Sequence, residues 1–350
     1  MVPFLLVGCQ TPMPPTPPKP LTVVTVPEPL IVAPAQPIVP EPLITNVPPA
    51  VPKWPTNWLR GWIPLANWSQ WNGLGPPVRS RGNPSMAYEI RTANGLLKLQ
   101  VDQRAMRLAG VECWLGYAPQ WIRGLPCVYA LDAQKTLQPL VSAGSPQRLP
   151  SRIVVLDPGH GGKDAGTASV YSREYEKFFT LDWALRVRQL LATNGWTVLL
   201  TRTNDTDVSL PERVALAERA AADLFLSLHF NSGTNSHPRA GLETYCLTPA
   251  GLPSNLVRNH EDDPKQTFPN NDFDDENLQW AFRLHRALLE RTGAVDHGVR
   301  RARFMAVLRG QRRPAVLIEA GYLSNPREAR KIATAEYRQQ LAEAVAKALE

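Results

Sequence analysis

Cysteine is scarce in this chain and badly spaced for metal binding. Four occur in 350 residues, at positions 9, 113, 127 and 246, and no two form a Cys-x-x-Cys pair, which argues against the thiolate zinc sites built on that spacing. Long apolar runs are missing too. After residue 9 no segment approaches the ~20 apolar residues that a membrane-spanning helix needs. The chain also lacks a helix-turn-helix spacing, an RNA-binding signature, or a basic run interleaved with aromatics, so its formal charge of +7 does not point to nucleic acid. That charge favours another anionic setting, an acidic polymer or a phospholipid surface.

Two features of the first 55 residues stand out. Met1-Val-Pro-Phe-Leu-Leu-Val-Gly-Cys9 ends as a lipoprotein signal does, with small apolar residues and glycine before a cysteine, although it is short and carries no Lys or Arg. Residues 10–55 then form a Pro-Val-Glu-Pro tract, and 17 of the 35 prolines fall before residue 56. Such a composition cannot bury enough apolar surface to fold. It is expected to be a disordered linker tending to polyproline II, which at ~3.1 Å per residue reaches up to roughly 140 Å. On this reading the chain is exported and Cys9 offers a membrane tether; the alternative is a chance apolar start followed by a disordered spacer without a tethering role.

Residues 56–147 change texture. Short β-like runs (Met86 to Ile90, Leu97 to Val101, Val128 to Leu131) are broken by Gly-Pro and Asn-Gly turns, which predicts a small, mainly β domain. Its tryptophans, Trp54, Trp58, Trp62, Trp68, Trp71, Trp114 and Trp121, read first as core and second as a stacking surface. Cys113 and Cys127 are spaced so that a disulfide is open to them in an exported chain, leaving Cys246 alone.

From residue 150 to 350 strand and helix alternate, which predicts an α/β domain with a mostly parallel sheet flanked by helices. Ile153 to Leu156 is an apolar strand. Phe178, Leu181, Ala184, Val187 and Leu191 recur at helical spacing, and Asn194-Gly195 ends that helix before a strand over Trp196 to Thr201. Ser209-Leu-Pro-Glu212 is a capping box with proline just inside the helix start. Leu224 to Leu228 runs into His229, Leu242 to Leu247 is another strand, Glu276 to Arg291 a helix, and Ala315 to Ile318 an apolar strand ending at Glu319. Asn325 caps the next helix, and Gln340 to Leu349 closes the chain as an amphipathic one.

The polar residues within that alternation suggest chemistry. In open α/β sheets, ligands bind beyond the carboxyl ends of the strands. His160, His229 and Glu319 each end an apolar strand there, and Glu176 opens the helix after the His160 loop. Two imidazoles and a carboxylate make an open tetrahedral zinc site with room for water. A carboxylate that is not a ligand can take the water's proton, and Glu319 fits that role because an ionised group ending a buried strand is costly without a function. One zinc ion is the expected cofactor, and no residue is assigned to an organic one.

The motifs Leu156-Asp-Pro-Gly-His160-Gly-Gly-Lys-Asp-Ala-Gly, Glu176-Lys-Phe-Phe-Thr-Leu, Thr201-Arg-Thr-Asn-Asp205, Ser209-Leu-Pro-Glu-Arg213, Phe225-Leu-Ser-Leu-His229-Phe-Asn231, Gly241-Leu-Glu-Thr-Tyr245 and Pro314-Ala-Val-Leu-Ile-Glu319-Ala-Gly-Tyr-Leu-Ser-Asn325 resemble those of the zinc-dependent N-acetylmuramoyl-L-alanine amidases over about residues 152–350. The resemblance implies zinc ligands His160, Glu176 and His229, Glu319 as general base, and a peptidoglycan substrate cut between N-acetylmuramic acid and L-alanine. It also implies a cell-envelope or periplasmic setting and admits an activator protein as partner. A zinc peptidase or deacetylase of the wall, or a wall-binding protein without activity, is the alternative.

Glu174 rivals Glu176 as the ligand, but the Glu-Lys pair and the apolar spacing behind it favour Glu176. Asp157 and Asp164 could contact the metal loop, though turn hydrogen bonding is the commoner job for such aspartates, and His237, His260, His285 and His297 are read as surface. Asn231 could orient substrate or brace a strand end. Residues 248–275, rich in Pro, Asn and acid, are expected to be either a cleft-lining or gating loop or a mobile insertion.

Overall fold

The computed structural model describes residues 61–80, 86–142, 149–233, 239–258 and 262–350. The expected signal and linker, residues 1–55, lie outside them, as do Trp54, Trp58, His237 and His260.

Strand β1 (Trp62–Pro64) leads into helix α1 (Leu65–Trp71) and then β2 (Val78–Arg79), β3 (Ala87–Thr92), β4 (Gly95–Gln100), β5 (Ala105–Leu108), β6 (Val111–Trp114), β7 (Gln120–Ile122) and β8 (Leu125–Tyr129). The β5–β6 turn, Ala109-Gly110, has φ of 50° and 86°, and the β7–β8 turn, Arg123-Gly124, has 49° and 78°. Positive φ at both central residues is the two-residue hairpin geometry that matches strand twist. A helical stretch follows, with α2 (Ala130–Asp132), a π turn and α3 (Gln138–Val141). It and α1 are the non-β parts that the run-and-turn pattern did not indicate. Trp68 is fully buried, whereas Trp62, Trp71 and Trp114 are half-buried and Trp121 is exposed. Cys113, Cys127 and Cys246 are all buried free thiols. Cys113 on β6 and Cys127 on β8 belong to different sheets, and the disulfide left open by their spacing is not formed.

The remainder comprises β9 (Ile153–Pro158), α4 (Glu176–Thr193), β10 (Thr197–Leu200), α5 (Leu210–Arg219), β11 (Leu224–Asn231), β12 (Leu242–Cys246), α6 (Asp274–Thr292), β13 (Asp296–Arg301), α7 (Ala306–Arg309), β14 (Ala315–Tyr322), α8 (Pro326–Ile332) and α9 (Ala335–Leu349). The Ser209 capping box forms as read, and the αL residue Gly293 stops α6. One mixed sheet runs in the order β10-β9-β11-β14-β12-β13-β6-β5-β4-β3-β2. β10, β9, β11 and β14 are mutually parallel, β12 is antiparallel to β14, and β13 is parallel to β12. A parallel pairing of Val299 with Cys113 joins β13 to β6. The patterning of residues 296–301 did not mark β13, because its sequence Asp-His-Gly-Val-Arg-Arg carries little apolar signal.

Alternation along the strands separates two cores. Val154, Leu156, Leu226, Val316 and Ile318 point to the side layered by α4, α6 and α9, and all are fully buried. Val155, Phe225, Tyr245, Ala315 and Leu317 point to the other side, where Ala217 of α5 and Val307 and Leu308 of α7 pack. Burying a large apolar side chain contributes roughly 1.5–3 kcal/mol, so both layers matter to stability. On the α5/α7 side, the same pleat positions continue beyond Phe225 and Leu317 into Ser227, His229 and Glu319.

Candidate metal centre and catalytic carboxylate

β9 runs out at Pro158, and Gly159 then passes directly over the ring of His229. A Cβ on Gly159 would stand 2.2 Å from His229 Cε1. His160 follows in the left-handed region, φ 62°, where only a few per cent of non-glycine residues sit. Gly159→Ala is therefore expected to displace the His229 ring and abolish metal-dependent activity while the protein stays folded, as a circular dichroism melt beside a zinc titration would read. Unchanged zinc affinity would contradict this.

Two arginines and a threonine hold the loop by its carbonyls. Arg202 Nε and Arg213 Nη1 donate to Pro158 O at 3.0 and 3.1 Å, Arg202 Nη2 and Thr180 Oγ1 donate to Gly159 O at 2.8 and 2.9 Å, and Arg213 Nη2 donates to His160 O at 2.8 Å. Asp157, buried below the loop, accepts from Arg213 Nη1 and Thr201 Oγ1 at 2.6 Å each and from Ser227 Oγ at 2.7 Å. Asp157 is thus the anion that fixes an arginine, a fuller role than a turn residue has. Arg202 and Arg213 stood in motifs without an assigned task, since arginines in a loop and on a helix give no sequence sign of burial. Arg213→Ala would strand the Asp157 charge, and breaking a buried pair in this way costs about 3–5 kcal/mol. A urea midpoint unchanged from wild type would contradict it.

Glu176 is the first residue of α4, and its carboxylate reaches back over the sheet edge, favoured there by the helix dipole. Its Oε2 lies 3.1 Å from His160 Nε2, and its Oε1 lies 3.0 Å from His229 Nδ1. The backbone slips register between His229 and Asn231, and Phe230 N donates to Glu176 Oε1 at 3.0 Å. Ligand atoms of His160, Glu176 and His229 lie within 4.8 Å of one another. Among the described residues this is the one His/Cys/Asp/Glu group that could hold a metal ion. Glu174, the rival, is exposed.

The charge balance of the trio is distinctive. Burial alone favours the neutral form of Glu176, but hydrogen bonds from His160 and His229 outweigh it and hold the carboxyl at about 2. Burial likewise disfavours the His160 imidazolium, yet Glu176 and Asp164 raise that ring to about 9. Asp164 Oδ2 is 2.9 Å from His160 Nδ1, but the contact is poorly aligned and the ring nitrogen is a buried atom without a hydrogen-bond partner. Two imidazoles and one carboxylate, converging within 4.8 Å, are a donor set that fits a divalent cation of the zinc type.

Glu319 sits beside His229 in the parallel β11–β14 register, and Glu243 faces it from β12. Glu319 Oε2 is buried and has no hydrogen-bond partner. Burial, with Glu176 and Glu243 nearby, pushes its carboxyl well above the usual carboxylate range. Glu243 is the opposite case. Its Oε2 accepts from Asn231 Nδ2 at 2.8 Å and Tyr245 OH at 2.9 Å, and Arg300 Nη1 lies 3.5 Å from Oε1. Asn231 therefore braces this carboxylate. The strand Leu242-Glu-Thr-Tyr-Cys carries the same signal as Glu319, an acid within an apolar run, and could have marked Glu243.

Two histidines read as surface are not. His285 is fully buried, with Nδ1 2.9 Å from Thr244 Oγ1 and Nε2 3.1 Å from Asp296 Oδ1. His297 is half-buried, with Nε2 2.6 Å from Ala240 O. Neither belongs to the His160–Glu176–His229 group, and their sequence positions, mid-helix and on a weakly patterned strand, gave no warning.

The acidic segment after β12 is built rather than loose in its described parts. Ser254 N and Oγ donate to Asp262 at 2.8 and 2.9 Å, and Arg303 closes an ion pair with Asp262. Asn255 bonds Arg301 N and Leu115 O at 2.8 and 2.9 Å, and Arg104 Nη2 donates to Ser254 O at 3.2 Å. A 3₁₀ turn, Pro269–Phe273, leads into α6. These described parts are tied into the fold by hydrogen bonds and an ion pair.

Fold and site together define a class, α/β proteins in which a His-Glu-His group that could hold a metal ion lies next to a buried carboxylate oxygen without a hydrogen-bond partner. The model of the N-acetylmuramoyl-L-alanine amidase family matches residues 154–350. The chain belongs to that family. It is 33% identical over 192 residues to N-acetylmuramoyl-L-alanine amidase LytC of Bacillus subtilis (strain 168), a match covering 55% of this chain and 34% of the relative. To N-acetylmuramoyl-L-alanine amidase AmiA of Escherichia coli (strain K12) it is 32% identical over 216 residues, covering 56% of this chain and 74% of the relative. The solved catalytic domain of CwlV, an N-acetylmuramoyl-L-alanine amidase from Bacillus (Paenibacillus) polymyxa var. colistinus, is 32% identical, with a TM-score of 0.46 over 56% of this chain and 94% of that one. The chain thus spans about a third of the first relative's length and about three quarters of the second's.

Proposed function

We propose that the chain hydrolyses the amide bond between N-acetylmuramic acid and L-alanine in peptidoglycan, with one zinc ion held by His160, Glu176 and His229 and with Glu319 as general base. The observation that supports this most is the partnerless Glu319 carboxylate in register with His229, adjoining the trio of donors. Zinc bound there would acidify water and polarise the lactyl carbonyl. Glu319 takes a proton from the attacking water as its oxygen bonds to the carbonyl carbon. The C–N bond breaks, and Glu319 returns the proton to the leaving nitrogen of L-alanine, so free glycan and stem peptide result.

We further propose that the enzyme is exported to the cell envelope, with Cys9 as tether; an activator protein is a proposed partner. Among the described residues no helix is long and apolar enough to cross a membrane. Metal analysis of the purified protein tests the zinc assignment. One zinc per chain, activity lost to a chelator and restored by zinc alone, is the expected result. Full activity in metal-free protein would contradict it.

A further inference from the structure

The Glu-Lys pair that opens α4 and the Thr201-Arg-Thr-Asn-Asp205 motif each carry a charged residue that the mechanism above does not use, Lys177 and Asp205. The fold brings the two together on the loop that bears His160. Lys177 Nζ donates to Gly162 O at 2.9 Å and to Asp205 Oδ2 at 2.7 Å, and Gly162 N donates to Asp205 Oδ1 at 2.7 Å. Both backbone polar groups of one residue are thus held, two positions after His160. The Lys177 side chain is only 11% exposed, so its ammonium faces the loop and not a substrate.

The loop lies close against the turn that presents Asp205. A Cβ on Gly161 would stand 2.3 Å from Thr206 O, and one on Gly162, at φ 58°, would stand 2.5 Å from Asp207 N. Two consecutive glycines make this close approach feasible, but they also leave the segment free to take many other conformations. Other contacts act elsewhere. Arg213 Nη2 holds the His160 carbonyl, and Glu176 N and Lys177 N donate to Thr167 O and Ala165 O at 2.8 and 3.3 Å, on the far side of the loop. The Gly161-Gly162 stretch between them is held by Lys177 and Asp205. Because Lys177 adjoins Glu176 in the chain, this contact also ties the His160 loop to the helix turn whose carboxylate stands 3.1 Å from His160 Nε2.

We propose that Lys177 and Asp205 are a positioning pair for the metal centre: by clamping the Gly162 peptide they preorganise the loop so that His160 and Glu176 stand together before the ion arrives. This rests on the reading of His160, Glu176 and His229 as zinc ligands. Neither residue touches the ion or the substrate, and their contribution is to remove conformations that the loop would otherwise lose on binding zinc.

The test titrates the full chain with zinc against a competing chelator and follows turnover of a muramoyl peptide in parallel. Lys177→Met and Asp205→Ala should each weaken zinc binding by about 10- to 100-fold, the range for groups that orient metal ligands. The double variant should lose no more than the weaker-binding single one, because the pair acts as a unit. Lys177→Arg should restore most of the affinity, and with zinc saturating the KM of every variant should match wild type. Asp205, 40% exposed, keeps the test in force if Lys177→Met does not fold. A lower melting temperature of the metal-free variants with zinc affinity unchanged, or losses that add in the double variant, would overturn the proposal. A wild type that binds no zinc would overturn the metal reading and the pair with it, whereas a zinc-binding wild type with unaffected variants would overturn the pair alone.

Discussion

Glu319→Gln should reduce turnover of a muramoyl peptide by about a thousandfold, within the range that a positioned general base contributes, while zinc content and thermal stability stay close to those of wild type. The carboxamide keeps the shape of the side chain at the end of β14 but cannot take a proton. The carboxamide, like the protonated carboxyl that burial and the neighbouring Glu176 and Glu243 favour, carries no charge, so stability should stay close to that of wild type. A variant that lost zinc along with activity would instead make Glu319 a ligand. One that kept more than about a tenth of wild-type turnover would remove it from the chemistry altogether.

The second large effect concerns protons and metal at the trio. Glu176→Ala should weaken zinc binding by more than about a hundredfold, since even groups that only orient ligands account for 10–100-fold. In metal-free wild type the three side chains form an ion cluster whose pH dependence follows from the two shifts. His160 is raised from 6.5 to about 9. Its stabilising contribution is therefore complete below about pH 6.5 and is lost as pH rises through about 9. Glu176 is lowered from 4.5 to about 2, so its contribution is complete above about pH 4.5 and is lost as pH falls through about 2. Metal-free protein should accordingly draw most from this cluster between roughly pH 4.5 and 6.5. Zinc needs the imidazoles neutral, so its affinity should rise by up to about tenfold per pH unit up to about pH 9. Melting curves with and without chelator across pH 5 to 9 check both trends. A metal-free protein that grew steadily more stable toward pH 9 would contradict the His160–Glu176 pairing.

The sequence made much of this legible where local physics decides the outcome. Ser209-Leu-Pro-Glu212 caps a helix through contacts within four residues, and it does so in the structure. His160, His229 and Glu319 were readable because each interrupts an apolar strand at its carboxyl end, where topology alone brings strand ends together. Glu176 could be placed because it opens the helix that follows the His160 loop. What stayed hidden depends on partners far along the chain. Arg213 is buried only because Asp157, on the sheet face that α5 covers, takes its charge, and His285 is core only because Thr244 and Asp296 reach it from two strands. The pairing of β13 with β6, which runs one sheet from β10 to β2, is a contact between residues 299 and 113 that no periodicity encodes. Glu243 is the instructive intermediate. Its pattern matched that of Glu319, but its donors, Asn231, Tyr245 and Arg300, are what separate a braced carboxylate from a free one.

The most direct test of the account is digestion of purified sacculi by the zinc-loaded chain beside Glu319→Gln, with released fragments identified by mass spectrometry. The account predicts free stem peptides beginning at L-alanine from wild type and none from the variant. Muropeptides cut within the glycan or between stem peptides, or equal release by the variant, would contradict it.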